Sequence, residues 1–380
     1  MNDNAFDLID ETLRSSGPDA GFGLLEKKVL EDKNYPLLFE VRLLKKRHAL
    51  GLPLIQVDDS ASMAPETRRE YDKAFIDAAR EVGGLFLADG NIQRAWPYFR
   101  AIGETSPVSD AIERLETTEN AEPIIEIAFM ERVNPYKGFQ MILSNFGICR
   151  AITSFGQFPS REGRDESLRL LVRTLHTELV ESLKRVIARN EGAAPDTRSA
   201  PELMAGRDWL FEGNSYYVDT SHLVSVIRYS VDLTDLESLG LASELAEYGT
   251  HLAAMFHERS DPPFDNLYAD HGIYLRAMRG EDVDAAVAHF RKKIEACDPE
   301  ETGSGPFQVM VNLLARLKRY EEAIEISQRY LSDVPASELG CPTLVQLCSL
   351  AGDPSRLRQV ARDRGDILNY TAAAIQQAPA

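Results

Sequence analysis

Five of the seven histidines of this chain, His176, His222, His251, His257 and His271, fall within residues 170–275. Three have acidic company. Glu178 follows His176 by two positions, Asp219 precedes His222 by three, and Asp270 directly precedes His271. A neutral imidazole ligates zinc or iron, and an imidazole beside a carboxylate moves protons near neutral pH. A carboxylate three residues before an imidazole shares one face of a helix with it. A site made from His176, Asp219, His222 and His271 would draw on three separate helices, as metal sites in helical bundles do. His176, His222 and His271 are the candidate metal ligands.

Each of these residues also has a structural reading, and that reading is the stronger one. Asp219 or Ser221 can cap a helix over 221–231 by accepting free backbone donors. His176 shares a stripe with Val172, Leu179 and Leu183, the setting of a packed core histidine. Asp270 reads as a solvated neighbour of His271. Aromatic residues gather nearby at Trp209, Phe211, Tyr216, Tyr217 and Tyr229. They could line a pocket for a peptide or small ligand, with Trp209 and Tyr216 as binding candidates, or pack around an irregular junction.

The sequence holds no GxxxxGK[ST] phosphate loop, no GxGxxG between a strand and a helix, no GxSxG elbow and no HExxH helix. An enzyme of a common class is therefore the lesser expectation, and no cofactor is expected. Sixty acidic residues against 42 basic ones leave a net charge of −18. Such a polyanion repels nucleic acid and anionic lipid, so neither is an expected partner. The first residues lack the basic and apolar segments of a secretory signal, and no apolar run reaches a membrane-spanning length, so the expected location is the cytoplasm. None of Cys149, Cys297, Cys341 and Cys348 forms a CxxC pair. Reduced, buried thiols fit that compartment; Cys341 and Cys348 would sit on one helical face about 10 Å apart, too far for a disulfide. The basic run Lys45-Lys46-Arg47-His48 spreads around a helix and reads as solvated surface.

Helices must position all of this. The clearest spans 164–189, where Leu168, Leu171, Val172, Leu175, Leu179, Leu183, Val186 and Ile187 recur at spacings of three and four. The pattern predicts further helices at 5–15, 21–32, 35–50, 66–88, 91–103, 121–132, 135–154, 201–211, 221–231, 236–257 and 265–279. The C-terminal third adds 282–296, 306–317, 320–332, 338–350, 354–363 and 367–376. Loops fall at 51–65, with its Asp58-Asp59-Ser60-Ala61-Ser62 stretch, and at 156–165, 190–200 and 302–306. Leu52-Pro53-Leu54-Ile55-Gln56-Val57 is the best strand candidate, but Pro53 makes it extended coil.

The C-terminal third also repeats. In Leu317-Lys318-Arg319-Tyr320-Glu321-Glu322-Ala323-Ile324, an aromatic precedes an alanine by three residues, and Pro335 follows twelve later. The alanine would let two helices lie close, the aromatic would close the turn, and the proline would stop the second helix. The first helix of the pair supplies Phe307, Met310, Val311 and Leu314. Leu357 follows Ala323 by 34 residues after the turn Gly352-Asp353-Pro354, and Ala286, with Ala285, Phe290 and Pro299, precedes it by 37. A separate match runs through Val82, Gly83, Phe86, Gly90, Ala95, Phe99 and Pro107, with Pro97 inside its second helix, where it should bend the helix or shift its start.

These residues resemble the tetratricopeptide (TPR) repeat, whose period is about 34 residues. Across its length the chain also resembles uncharacterised bacterial TPR-like proteins, through Arg47-His48-Ala49-Leu50-Gly51-Leu52-Pro53-Leu54, Ala95-Trp96-Pro97-Tyr98-Phe99-Arg100 and Asp219-Thr220-Ser221-His222-Leu223. The resemblance implies an all-α, TPR-like helical-hairpin solenoid with an irregular helical middle region. Its expected divisions are N-terminal helices over 1–55, TPR-like helices over 66–155, the irregular middle over 164–260, and TPR-like repeats over 263–380. A solenoid of this kind presents a groove that accepts a peptide or helix of a protein partner. The expected function is therefore a non-enzymatic interaction scaffold, with a metal-binding protein or metal-dependent enzyme as the alternative.

Overall fold

A computed structural model describes residues 3–55, 63–116 and 121–377. Of the loop expected over 51–65, residues 56–62 lie outside them, and with these the end of the 52–57 stretch. The described residues are all-α: they hold no strand, only an isolated bridge between Arg259 and Asn266. None of the described helices is long and apolar enough to cross a membrane. The chain divides into two compact units, Met1–Arg164 and Asp165–Ala380.

The first unit contains α1 (Asp3–Glu31), α2 (Tyr35–Ala49), α3 (Pro65–Ala88), α4 (Ile92–Ala101), α5 (Ser106–Glu113), α6 (Glu122–Ile125) and α7 (Pro135–Gly156). The two helices expected at 5–15 and 21–32 form one run, broken at Gly17-Pro18. Asparagine side chains start three of the others: Asn34, Asn91 and Asn134 each accept the backbone N–H three residues on, at 3.3, 3.1 and 3.1 Å. Arg42 ties three helices together, reaching Glu26 of α1 and Glu81 of α3 at 2.7 Å each. Pro97 neither delays α4 nor ends it. Pro107, expected to stop that helix, instead opens α5, where its missing N–H costs nothing.

The basic run on α2 is more committed than its sequence implied. Lys45 pairs with Glu26 at 3.1 Å and Lys46 with Glu70 at 2.9 Å. Arg47 is buried and donates from Nε to the Pro53 carbonyl at 2.9 Å, so it is not the solvated residue expected. The run is spread around its helix, and each cation finds local work.

The second unit opens one residue into α8 (Arg164–Glu191), whose stripe from Leu168 to Ile187 is buried except for half-buried Val186. It continues through α9 (Ala200–Met204), α10 (Thr220–Tyr229), α11 (Leu236–His251), α12 (Leu267–Met278), α13 (Val283–Glu295), α14 (Pro299–Thr302), α15 (Gly305–Arg316), α16 (Tyr320–Tyr330), α17 (Leu344–Ala351), α18 (Pro354–Asp363) and α19 (Ile367–Gln377). One hydrophobic core runs from α12 to α19 and includes Ala286, Phe290, Phe307, Met310, Val311, Leu314, Ala323 and Leu357. The packing positions proposed for the repeat in this stretch are thus core positions, whereas Ala285, Pro299 and Pro335 are exposed and Tyr320 is half-buried. The helix expected over 338–350 begins only at Leu344, because Pro342 and the Thr343 capping box set its start. Cys341 therefore precedes the helix that carries Cys348; both thiols are buried and free, and burial pushes that of Cys341 up to about 11.

Candidate functional site

The second unit sends the histidines of the middle region to separate partners. His176, buried on α8, shares a 2.8 Å hydrogen bond between Nε2 and Glu244 of α11. Glu244 also accepts the Ala200 N–H at 2.8 Å. Burial works to raise the Glu244 carboxyl, but these bonds outweigh it and hold the group below its ordinary range. The pair fastens α8, α9 and α11 together. Asp219 caps α10, accepting from the Ser221 hydroxyl at 2.5 Å and from the backbone N–H groups of Ser221 and His222 at 2.8 and 3.3 Å. The Ser221 bond is the main reason its carboxyl lies below the usual range. His222, half-buried in the first turn of α10, faces the field of Glu178 on α8, whose carboxyl is raised chiefly by burial.

His271 lies elsewhere again. Its ring stacks on Phe264, centroids 4.0 Å apart, and Nδ1 donates to the Leu267 carbonyl at 2.7 Å. Burial pushes this imidazole down to about 4, so it is neutral at ordinary pH. Asp270 is not a solvated neighbour but a buried anion, 1% exposed, which accepts from His289 Nε2, Lys293 Nζ and the Asn266 N–H at 2.8 Å each. Among the described residues no three histidine, cysteine, aspartate or glutamate side chains gather to hold a metal ion. Of the candidate ligands His176, His222 and His271, the first bonds to Glu244 and the last to the Leu267 carbonyl, whereas His222 has its backbone N–H bonded to Asp219. Of the aromatics, Trp209 is half-buried in a 3-10 segment, and Tyr216 is 54% exposed, edge-on to Phe256 at 5.3 Å.

An arrangement with room for a ligand lies in the first unit, at a place the sequence presents as two ordinary helices. The helix expected over 121–132 keeps α geometry only to Ile125 and then widens into a π-turn, Glu126–Met130, closed by the bond from the Glu131 N–H to the Glu126 carbonyl at 2.9 Å. The widening suits the residues: Ile127, Ala128 and Phe129 are consecutive and all buried, which a 3.6-residue period does not allow on one narrow face. The turn rests on α7 at Gly138, where a Cβ would stand 2.8 Å from the Phe129 backbone nitrogen. α7 is itself broken at Gly147, whose φ of 76° and ψ of −180° are open essentially to glycine alone.

Between these elements lies a cleft of about 630 Å³, a size in the range of ligand sites. One wall is Glu122, Ile125, Glu126, Phe129 and Met130; the other, from both arms of α7, is Ile142, Phe146, Arg150, Thr153, Ser154 and Gln157. Phe129 anchors the floor in a cluster with Phe139, Phe155 and Phe158, at centroid distances of 6.5 Å to Phe139 and 5.1 Å to Phe158. Met130 and Phe146 are 66% and 44% exposed, apolar surface beside a backbone break. The side chains of Glu122, Glu126 and Arg150 carry no hydrogen bond or ion pair among the described residues. The arrangement offers an apolar trough with two carboxylates on one rim and a guanidinium on the other.

No protein-family model, curated protein or solved structure matches the chain.

Proposed function

We propose that this chain is a non-enzymatic interaction protein, a TPR-like α-solenoid that binds a peptide or helical segment of a protein partner, and that the cleft between the π-turn and α7 receives the segment. The observation that carries the reading is the exposure of Phe146 and Met130 on either side of an apolar trough whose rim charges have no partners of their own. Such surface is costly to leave open and is the usual mark of a docking site. The repeat register supports the solenoid part of the reading: Ala286, Ala323 and Leu357 all enter one core, from α13, α16 and α18. The unbridged buried thiols of Cys341 and Cys348 suit a reducing compartment.

The test is site-specific photo-crosslinking. Benzoylphenylalanine placed at Phe146 should capture a protein partner in cell extract, whereas the same group at Leu236, a 66% exposed residue of the second unit, should not. Equal capture at both positions, or none at position 146, would sink the proposal.

A further inference from the structure

Resting on that reading and naming its partner's chemistry, we infer that the occupant of the cleft is an amphipathic helix of a partner protein that carries lysine or arginine along one edge. Charge complementarity picks this occupant. Glu122 and Glu126 stand four residues apart on the rim of one wall, exposed and without partners among the described residues. Side chains at that spacing meet cations at the same spacing on a facing helix. Arg150, equally unpartnered, stands on the opposite wall and favours an acidic or amide side chain on the occupant's other edge. Between the rims the surface is mainly apolar, with Ile125, Phe129, Met130, Ile142 and Phe146, and polar at Thr153, Ser154 and Gln157. From Glu122 to Met130 the wall runs about 12 Å, roughly two helical turns. That length presents two cationic positions to the two carboxylates and one apolar stripe to the trough. The net charge of −18 supplies long-range attraction for the same partner.

The experiment uses the full chain and two fluorescein-labelled probes of about 14 residues, a leucine–lysine amphipathic helix and its leucine–glutamate counterpart, read by fluorescence anisotropy. The parent should bind the basic helix and not the acidic one. Glu122→Lys with Glu126→Lys should weaken the basic helix by ~tenfold or more and admit the acidic one. Reversing two exposed glutamates of the other unit, Glu295→Lys with Glu325→Lys, changes the total charge equally and should leave binding within about twofold. Phe146→Ser should abolish binding of the basic helix with the circular dichroism melt unchanged.

A parent that prefers the acidic helix, or a remote reversal that weakens the basic helix as much as the rim reversal, overturns the inference. So does a parent that binds palmitate, lost in Phe146→Ser, but neither helix; the cleft then takes a small apolar ligand. Crosslinks from position 146 that persist undiminished after rim reversal leave the peptide-binding reading standing and overturn the charge assignment alone. Absence of crosslinks together with absence of helix binding overturns both.

Discussion

The ring of Phe99 on α4 lies directly over the Cα of Gly83 on α3: a Cβ at position 83 would fall 2.6 Å from Phe99 Cε2 and 2.9 Å from Cδ2. Phe99 is 2% exposed and has nowhere to retreat. Alanine in mid-helix would otherwise gain about 1 kcal/mol over glycine. Overpacking costs about 1–3 kcal/mol, so Gly83→Ala should destabilise the first unit despite its better helix propensity. Phe99→Leu in the same protein should recover part of the loss, a non-additive pair in a double-mutant cycle. A Gly83→Ala melt above the parent's would show that the ring moves freely.

Ala323 and Ala285 make a matched pair of tests in the second unit. Ala323 is fully buried in the core shared by α12 to α19, whereas Ala285 on α13 is exposed. Ala323→Leu should cost about 1–3 kcal/mol through overpacking. Ala285→Leu should stay within about 0.5 kcal/mol, as exposed substitutions do. Matching thermal melts of the two variants would remove Ala323 from the small position of the repeat.

Most helices were legible in the sequence because they carry a start signal or an apolar stripe, although α5 and α14 were not expected. Asn91 before Ile92, Asp219 before Thr220 and Asp353 before Pro354 all cap where their side chains permit. The burial of Phe307, Met310, Val311 and Leu314 followed from spacing alone. The cleft was not legible for two reasons. A π-turn has no residue signature, and only the consecutive burial of Ile127, Ala128 and Phe129 betrays it once the fold is known. Gly147 lies in an apolar stretch that reads as uninterrupted helix, since glycine within a helical pattern marks a break only when its φ is seen. The partners of the histidines were not legible because type and spacing do not reveal them. Glu244, which takes His176, is 68 residues away, and His289, which takes one oxygen of Asp270, is 19 away.

His271 predicts an acid limb in the stability of the second unit. Its folded-state imidazole is pushed down to about 4 from an ordinary 6.5, by burial first and by the charge of Arg228, against the opposing bond to Leu267 and the charge of Asp270. The unfolded chain therefore binds a proton between these values that the folded chain refuses. Stability rises with pH wherever the unfolded state holds more protons, so this contribution is complete above about 6.5 and drains away as pH falls toward 4. The whole loss would be about 3 kcal/mol. His271→Gln keeps a donor for the Leu267 carbonyl and removes the titration. Denaturant midpoints of parent and variant, measured from pH 7 to pH 4, should diverge in slope across this window. Parallel curves would mean that His271 titrates as it does in water.

Gly147 joins backbone strain to the proposed site. With φ at 76° and ψ at −180°, any residue with a Cβ placed there pays about 1–3 kcal/mol or forces α7 to straighten. No atom stands within 4 Å of the position a Cβ would take, so the cost comes from the backbone and not from a clash. Straightening would re-aim Phe146, which precedes the break, relative to Arg150, which follows it by three residues. Gly147→Ala should therefore lower the melting temperature of the first unit modestly and reduce crosslinking from position 146 severely. Gly84→Ala, also without a neighbour within 4 Å but at an ordinary helical position of α3, should stabilise or leave the melt unchanged and keep the crosslink intact. The contrast separates the two effects of a glycine: helix entropy alone would make both variants more stable, whereas a break required by the cleft makes only Gly147 costly. A Gly147→Ala protein that melts higher than the parent and crosslinks equally well would show that α7 can be continuous and that the cleft does not depend on the kink.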